Sequence, residues 1–287
     1  ETGTLNGVEY EAVDNALLRD RIAAGADLTT LCTSSVTNME SLFRGAASFN
    51  QNIASWDTEN VTTMREMFSG ARTFNQDIGS WDTGNVTSLV MTFRDATAFN
   101  QDIGEWNIGS VTNMLDTFFN AASFNQDIGG WNTGNVTSME RTFLGASAFD
   151  QDLSDWNTAN VVSMFGMFAG ATSFNRDISS WDTAKVTDMS DMFFSARSFD
   201  QAIGTWNTGN VLRMNQMFLD ARSFNRDIGG WNTANVLAMN MMFLDAGAFN
   251  QDLSDWCVEN IPVEPDFFDL RAASWTLPRP DWGVACD

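Results

Sequence analysis

Val61-Thr62-Thr63-Met64-Arg65-Glu66-Met67-Phe68-Ser69-Gly70-Ala71-Arg72-Thr73-Phe74-Asn75-Gln76-Asp77-Ile78-Gly79-Ser80-Trp81-Asp82-Thr83-Gly84-Asn85 is one copy of a unit that recurs every 25 residues. Val fills one column at every step from Val36 to Val236, and Ile261 continues it. Three residues on stands a Met column, broken only by Leu89. Phe then recurs from Phe43 to Phe243 with Phe268 beyond, Ala from Ala46 to Ala246, and a second Phe from Phe49 to Phe249. Ile or Leu from Ile53 to Leu253 and Trp from Trp56 to Trp256 complete the frame. About nine copies in register define a repeat array, not a pair of globular domains.

Each unit carries two periods. Val61, Met64, Met67, Phe68 and Ala71 fall on one face of a short helix of about ten residues. The Trp-x-Thr alternation at Trp56 and Thr58 reads as a very short strand, and Gly, Ser, Asn and Asp fill the connections. No unit can bury its own apolar stripe, so units must stack. At a strand spacing near 4.8 Å, nine coils give a rod or arc on the order of 45 Å long. The expected fold is an α/β repeat solenoid, a right-handed coil resembling leucine-rich repeats.

Residues 1–35 lack the unit and form the N-terminal cap, 36–260 carry the nine repeats, and 261–287 form the C-terminal cap. Asp14 N-caps a helix running to about Ala24, with Gly25 just past its end and Leu17, Leu18 and Ile22 covering the first coil. Glu1-Thr2-Gly3 reads as a scar of a removed secretion signal. All four prolines, Pro262, Pro265, Pro278 and Pro280, lie in the last segment, where they stop the pattern and break the exposed edge.

Composition narrows the function. There are 37 acidic and 15 basic residues, a net charge of −22, and no histidine. The charge argues against nucleic acid and anionic membranes and allows cations, mineral surfaces or basic partners. The lack of histidine removes the commonest general base and metal ligand. No apolar run is long enough to span a bilayer as a helix. Cys257 and Cys286 lie close enough along the chain to staple the last segment, which fits an oxidising compartment; the alternative is three reduced thiols. In a solenoid Cys32 reaches neither.

The unit V-T-x-M-x-x-M-F-x-x-A-x-x-F-N-Q-D-I-x-x-W-[DN]-T-x-N closely resembles the repeat of the BspA-like leucine-rich-repeat surface proteins of mycoplasmas, other bacteria and some marine microalgae. The ending, with Trp256-Cys257-Val258, Trp275-Thr276-Leu277-Pro278, Trp282-Gly283 and Cys286, is similar to a C-terminal cap of that family. The resemblance covers residues 36–287. It implies a leucine-rich-repeat-like solenoid at the cell surface or outside the cell, and no catalytic residue.

Several polar columns compete as sites. Asp77, Asp102, Asp127, Asp152, Asp177, Asp227 and Asp252 stack one coil apart, with Asn52 and Ala202 in the other slots. They offer Ca²⁺ oxygen ligands or cap turns; one Asp per coil supplies few ligands, which favours capping, so no cofactor is required. Asp57, Asp82, Asn107, Asn132, Asn157, Asp182, Asn207 and Asn232 exchange Asp for Asn freely, which reads as a hydrogen-bonded ladder on a flat polar strand face; the same reading covers Asn50, Asn75 and Asp150. Such a face suits an extended ligand such as polysaccharide, mineral or ice, or is simply solvated. Trp beside Ile53 and Phe49 belongs to the core and not to a glycan platform.

On the helix-side edge, polar residues of early coils give way to Phe119, Leu144, Phe194, Leu212, Leu219, Leu237 and Leu244 in later ones. This gradient marks a contact patch for a partner or a homodimer, or contact between neighbouring coils. Arg65, Val90, Leu115, Phe165 and Asn215 occupy one variable slot on the constant frame. Asn60, Asn85 and Asn135 head N-V-T sequons for N-glycosylation. The sequence therefore points to an extracellular or cell-surface adhesion scaffold for a protein or glycan. The second class is a Ca²⁺-, mineral- or ice-binding protein. An enzyme would need a constellation departing from the repeat, and none stands out.

Overall fold

A computed structural model of the chain describes residues 2–5 and 7–286. It opens on a hairpin of β1 (Thr2–Leu5) and β2 (Val8–Ala12), followed by α1 (Asn15–Ala23) and β3 (Leu31–Cys32). Thr2 and Gly3 pair with Glu11 and Tyr10 across the hairpin, and β3 runs parallel to β2. Two residues read as a processing scar are thus part of a sheet. Asp14 caps α1 by accepting the N–H groups of Ala16 and Leu17, and Gly25 takes φ +68° just beyond it. Leu18 is fully buried, and Leu17 and Ile22 pack on the core of the first unit.

The repeats contain no α-helix among the described residues, which corrects the expected helix of each unit. From Met64 to Ala71 the N–H groups take two alternating routes. Those of Glu66, Phe68 and Gly70 leave the unit and donate to the carbonyls of Val90, Thr92 and Arg94 in the next, at 2.7–2.9 Å. Those of Met67, Ser69 and Ala71 turn back three residues, to Met64, Glu66 and Phe68, at 3.0–3.1 Å. The left-handed conformation recurs twice per unit, as at Glu66 (φ +55°) and Gly70 (φ +76°), and in the next unit at Met91 and Asp95. An L-residue helix cannot continue through such residues. Tandem three-residue turns reproduce the apolar spacing of a helix without its hydrogen bonds.

The expected strand is also displaced. Trp56 N–H donates back to Ile53, closing a turn where the strand was read. Parallel pairing instead lies in the Val-x-x-Met segment, as single bridges such as Asn38 to Thr63 and Ser88 to Asn113 to Ser138. Thr58 and Trp56 do point inward, but each is tied to a different neighbour. Thr58 Oγ1 donates to the Asp82 carbonyl of the next unit, and Trp81 Nε1 to the Ile53 carbonyl of the previous one.

The core is three files of rings running from unit to unit. Phe68 stacks on Phe93 at 5.6 Å, Phe74 on Phe99 at 5.9 Å and Trp81 on Trp106 at 6.4 Å between centroids. Within a unit Phe68 lies 4.0 Å from Phe74. The files end because the rings turn: Phe243 meets Phe268, Phe249 meets Trp275 and Phe268 meets Trp282 edge-on. One residue is added between Ile261 and Phe267. Phe218 N–H donates to Met242, but Phe243 N–H donates to Phe268, so Phe268 takes the place of a Met and does not extend the Phe column. Cys257 and Cys286 are joined by a disulfide, with Cα atoms 5.5 Å apart, and Cys32 is an exposed free thiol.

Far-ultraviolet circular dichroism of the intact chain will lack the helical double minimum, since only α1 supplies a helix among the described residues; a strong minimum pair would restore a helix to every unit. The Cys286→Ser variant should lose about 3 kcal/mol at the closing segment, read as earlier melting of the signal from Trp275 and Trp282 than of the whole chain.

Candidate functional site

The acidic column caps turns. Oδ1 of Asp77, Asp102 and Asp127 accepts the N–H of Gly79, Gly104 and Gly129 at 2.9–3.0 Å. Asp152, Asp177, Asp227 and Asp252 do the same two residues on. The Ser154, Ser179 and Ser254 backbone N–H groups hold Asp152, Asp177 and Asp252 below the usual carboxylate range. All seven are exposed, and among the described residues no three Asp, Glu, Cys or His side chains converge on a point.

The column from Asp57 to Asn232 is not a ladder between units. Each side-chain oxygen accepts the N–H two residues ahead, as Asp82 does from Gly84 and Asn157 from Ala159. Capping needs only the oxygen, so Asp and Asn serve alike. Asp57, Asp82, Asn107, Asn132, Asn157, Asp182, Asn207 and Asn232 form an exposed row of Asx turns. The sequon residues Asn60, Asn85 and Asn135 are exposed, and each amide nitrogen donates to a carbonyl of the previous unit.

The ladder between units is the Asn50 column. Asn50 Oδ1 accepts from Asn75 N–H and from Gln76 Nε2, and the pattern repeats at Asn75, Asn100 and Asn125. Its Asp members are not free exchanges. Asp150 pairs with Arg176 and Asp200 with Arg226, both at 2.8 Å, where other units hold Asn with Gln.

Variation gathers on the segment of alternating turns. Here Phe119, Leu144, Phe194, Leu219 and Leu244 are half-buried; Leu212, half-buried, and Leu237, 60% exposed, stand just before it on the Val-x-x-Met stretch that carries the parallel bridges. The alternating-turn segment also carries carboxylates paired with arginines. Glu66 meets Arg44 at 2.9 Å and Arg65 at 3.3 Å. Asp116 is fully buried between Arg94 and Arg141, with Arg141 Nε at 2.8 Å, and the Arg94 guanidinium lies 4.2 Å from the Phe119 ring centre. Burial would raise Asp220, but hydrogen bonds from Arg222, Arg197 and Ser195 hold its carboxyl below the usual range. These pairs join residues 22–25 apart, or one or two apart, in the chain, and the sequence reading missed them. Their signal was the co-occurrence of an acid and an arginine one unit apart.

Asp191 departs from this pattern. Among the described residues its side chain has no ion pair and no hydrogen bond. Burial pushes its carboxyl above the usual range, and Asp188 adds to the shift. It lines an open depression of about 310 Å³ with Leu144, Ala169, Gly170, Phe194 and Gln216. An adjoining depression shares Asp191 and Gln216 and is lined also by Phe165, Ser190 and Arg213. Ser190 is 5% exposed, and its Oγ is the one buried side-chain polar atom without a partner among the described residues. A larger depression of about 690 Å³ lies by the N-terminal hairpin, against Thr2, Tyr10, Cys32 and Asp57; among the described residues no unpaired buried polar group lines it.

Units of one length, joined side by side by backbone hydrogen bonds and closed by a disulfide, define a repeat protein. The family model described as "Mycoplasma protein of unknown function, DUF285" matches residues 15–129, 91–200 and 176–274. Together these matches span most of the chain, which belongs to that family. No curated protein matches it. No helix among the described residues is long and apolar enough to cross a membrane.

Asp116 and Asp191 should respond oppositely to neutralisation. Asp116→Asn breaks a buried ion pair whose arginines are about one-third exposed, and should cost roughly 2 kcal/mol. Asp191→Asn should raise the melting temperature at neutral pH, because it removes an unpaired desolvated charge. A carboxyl raised in the folded state contributes stability at low pH that is lost as pH rises through its folded value. The gain from Asp191→Asn should therefore shrink towards acid pH; thermal melts across pH that show a constant gain would overturn the assignment.

Proposed function

We propose that the stacked units form a solenoid resembling the BspA-like leucine-rich-repeat surface proteins, and that it serves as an extracellular or cell-surface binding scaffold for a protein or glycan. The observation that carries this reading is the contrast between frame and row. Rings, Ala, Asn and Thr repeat almost unchanged through nine units, while the positions of the alternating-turn segment that lie between its Met, Phe and Ala columns vary from unit to unit. Arg65, Leu115, Phe165 and Asn215 are partly exposed on the alternating-turn segment, beside the apolar residues from Phe119 to Leu244, while Val90 in the same slot is buried. A repeat array holds such a row rigid over its whole length, so its variable positions are free to follow a ligand. The disulfide fits an oxidising compartment. The acidic column supports Ca²⁺ binding less well, because each carboxylate is engaged with its own turn.

The labelled intact chain, tested on a glycan array and on a panel of cell surfaces, should bind a restricted set of targets. Phe165→Ser combined with Leu219→Ser should weaken that binding at least about tenfold, the loss expected for anchor residues, with little change in melting temperature. Equal binding by parent and variant would move the surface elsewhere.

A further inference from the structure

The repeat supplies its own template for the depression at Asp191. Three units earlier, at a displacement of 75 residues, the equivalent positions are Asp116 for Asp191, Phe119 for Phe194, Arg94 for Ala169 and Arg141 for Gln216. In that earlier unit the Arg94 guanidinium is held twice, by the buried Asp116 carboxylate and over the face of Phe119 at 4.2 Å. The first unit of the row repeats the arrangement in part, with Arg44 in the slot of Arg94 reaching Glu66 in the slot of Asp116. At Asp191 both holding groups are kept and both arginines are gone. Ala169 ends where a long side chain would fill the space, and Gly170 stands where Asp95 flanks Arg94. What remains is a depression with a carboxylate and an aromatic ring in place and no internal cation between them.

We propose that the Asp191–Phe194 depression is a vacated arginine seat, which takes the guanidinium of an arginine side chain presented by a partner protein. The proposal rests on the binding reading above and names the chemistry of one contact within it. Three observations meet here. Carboxylate and ring are the two groups that hold a planar guanidinium, one by paired hydrogen bonds and one by its π face. The chain carries a net charge of −22, which draws a basic partner towards it. Ser190 Oγ, 95% buried and without a partner among the described residues, lines the adjoining depression that shares Asp191 and Gln216, where a second donor or acceptor from the ligand would meet it. Arg213, the cation of that depression, sits 3.8 Å from Asp188 and makes no ion pair with Asp191. Leu144 offers an apolar wall for the methylene stem.

The test is titration of the intact chain at low salt, followed by nuclear magnetic resonance, with Nα-acetyl-arginine amide. The neutral isostere Nα-acetyl-citrulline amide and the ammonium Nα-acetyl-lysine amide serve as comparators. The arginine probe should saturate the Asp191 region and bind at least about tenfold tighter than citrulline, in keeping with a charge-assisted pair, and tighter than lysine. Asp191→Asn and Ala169→Arg should each abolish saturation. Ala169→Arg fills the seat from within and should melt above the parent, which separates it from a variant that fails to fold. No saturation by the arginine probe, equal affinity for citrulline or lysine, or unchanged binding in Asp191→Asn overturns the seat. A chain that binds cells but not the arginine probe overturns the seat and leaves the scaffold reading; one that takes the probe but binds no cells or glycans retains the seat and overturns the scaffold.

Discussion

Each unit lends half the N–H groups of its turn segment to the unit that follows, and the whole molecule depends on that loan. The left-handed residues at positions such as Glu66 and Gly70 make it necessary: they turn alternate N–H groups out of the unit, where only a neighbour's carbonyls can meet them. Buried backbone donors left without partners are costly, so an isolated unit is not a stable object. Ring stacking follows the same direction. A phenyl or indole has one face covered by the unit before and the other by the unit after. Backbone and side chains thus impose one axis, and a change in one unit is felt first by the two beside it.

Much of this was legible. The 25-residue step, the buried Val, Met, Phe, Ala and Trp columns and the Asp14-capped helix follow from apolar period and capping chemistry. The helix assigned to each unit did not survive, because tandem three-residue turns place apolar side chains at the spacings a helix would. One signal could have prevented the error. The slot of Gly70 holds Asp95, Asn120, Gly145, Gly170, Ser195, Asp220 and Asp245 in later units, a series dominated by residues that tolerate positive φ. The slot of Glu66 holds Met91, Arg141 and Gln216 as well, and no local preference reveals its left-handed backbone. The surrounding hydrogen bonds impose it.

The polar columns divide the same way. A row of Asp or Asn followed two residues later by Gly, Ser or Ala is a set of local turns, whatever the stacking suggests. A column in which Asp appears only where Arg stands 26 residues on is a contact between units. Asp150 with Arg176 and Asp200 with Arg226 show that rule in the sequence itself. Asp191 was hidden for the opposite reason: its distinguishing feature is a partner that is missing, and an absence shows only when units are superposed. The apolar residues of the later units were visible, but their sequence did not tell that they border carboxylates.

The added residue near Pro262 and the edge-on rings of Phe268, Trp275 and Trp282 have a bearing on how such a chain changes length. Inside the array every boundary is equivalent, so an in-frame duplication or loss of one unit leaves both neighbours with matching hydrogen bonds and ring faces. Past Ile261 the register has slipped and the rings no longer present flat faces, so a unit copied there would find nothing to stack on. Length variation in this chain is therefore confined to the interior, and each such event would slide the unpaired Asp191 towards or away from an unchanging end, altering the spacing of surface features without redesigning any one of them.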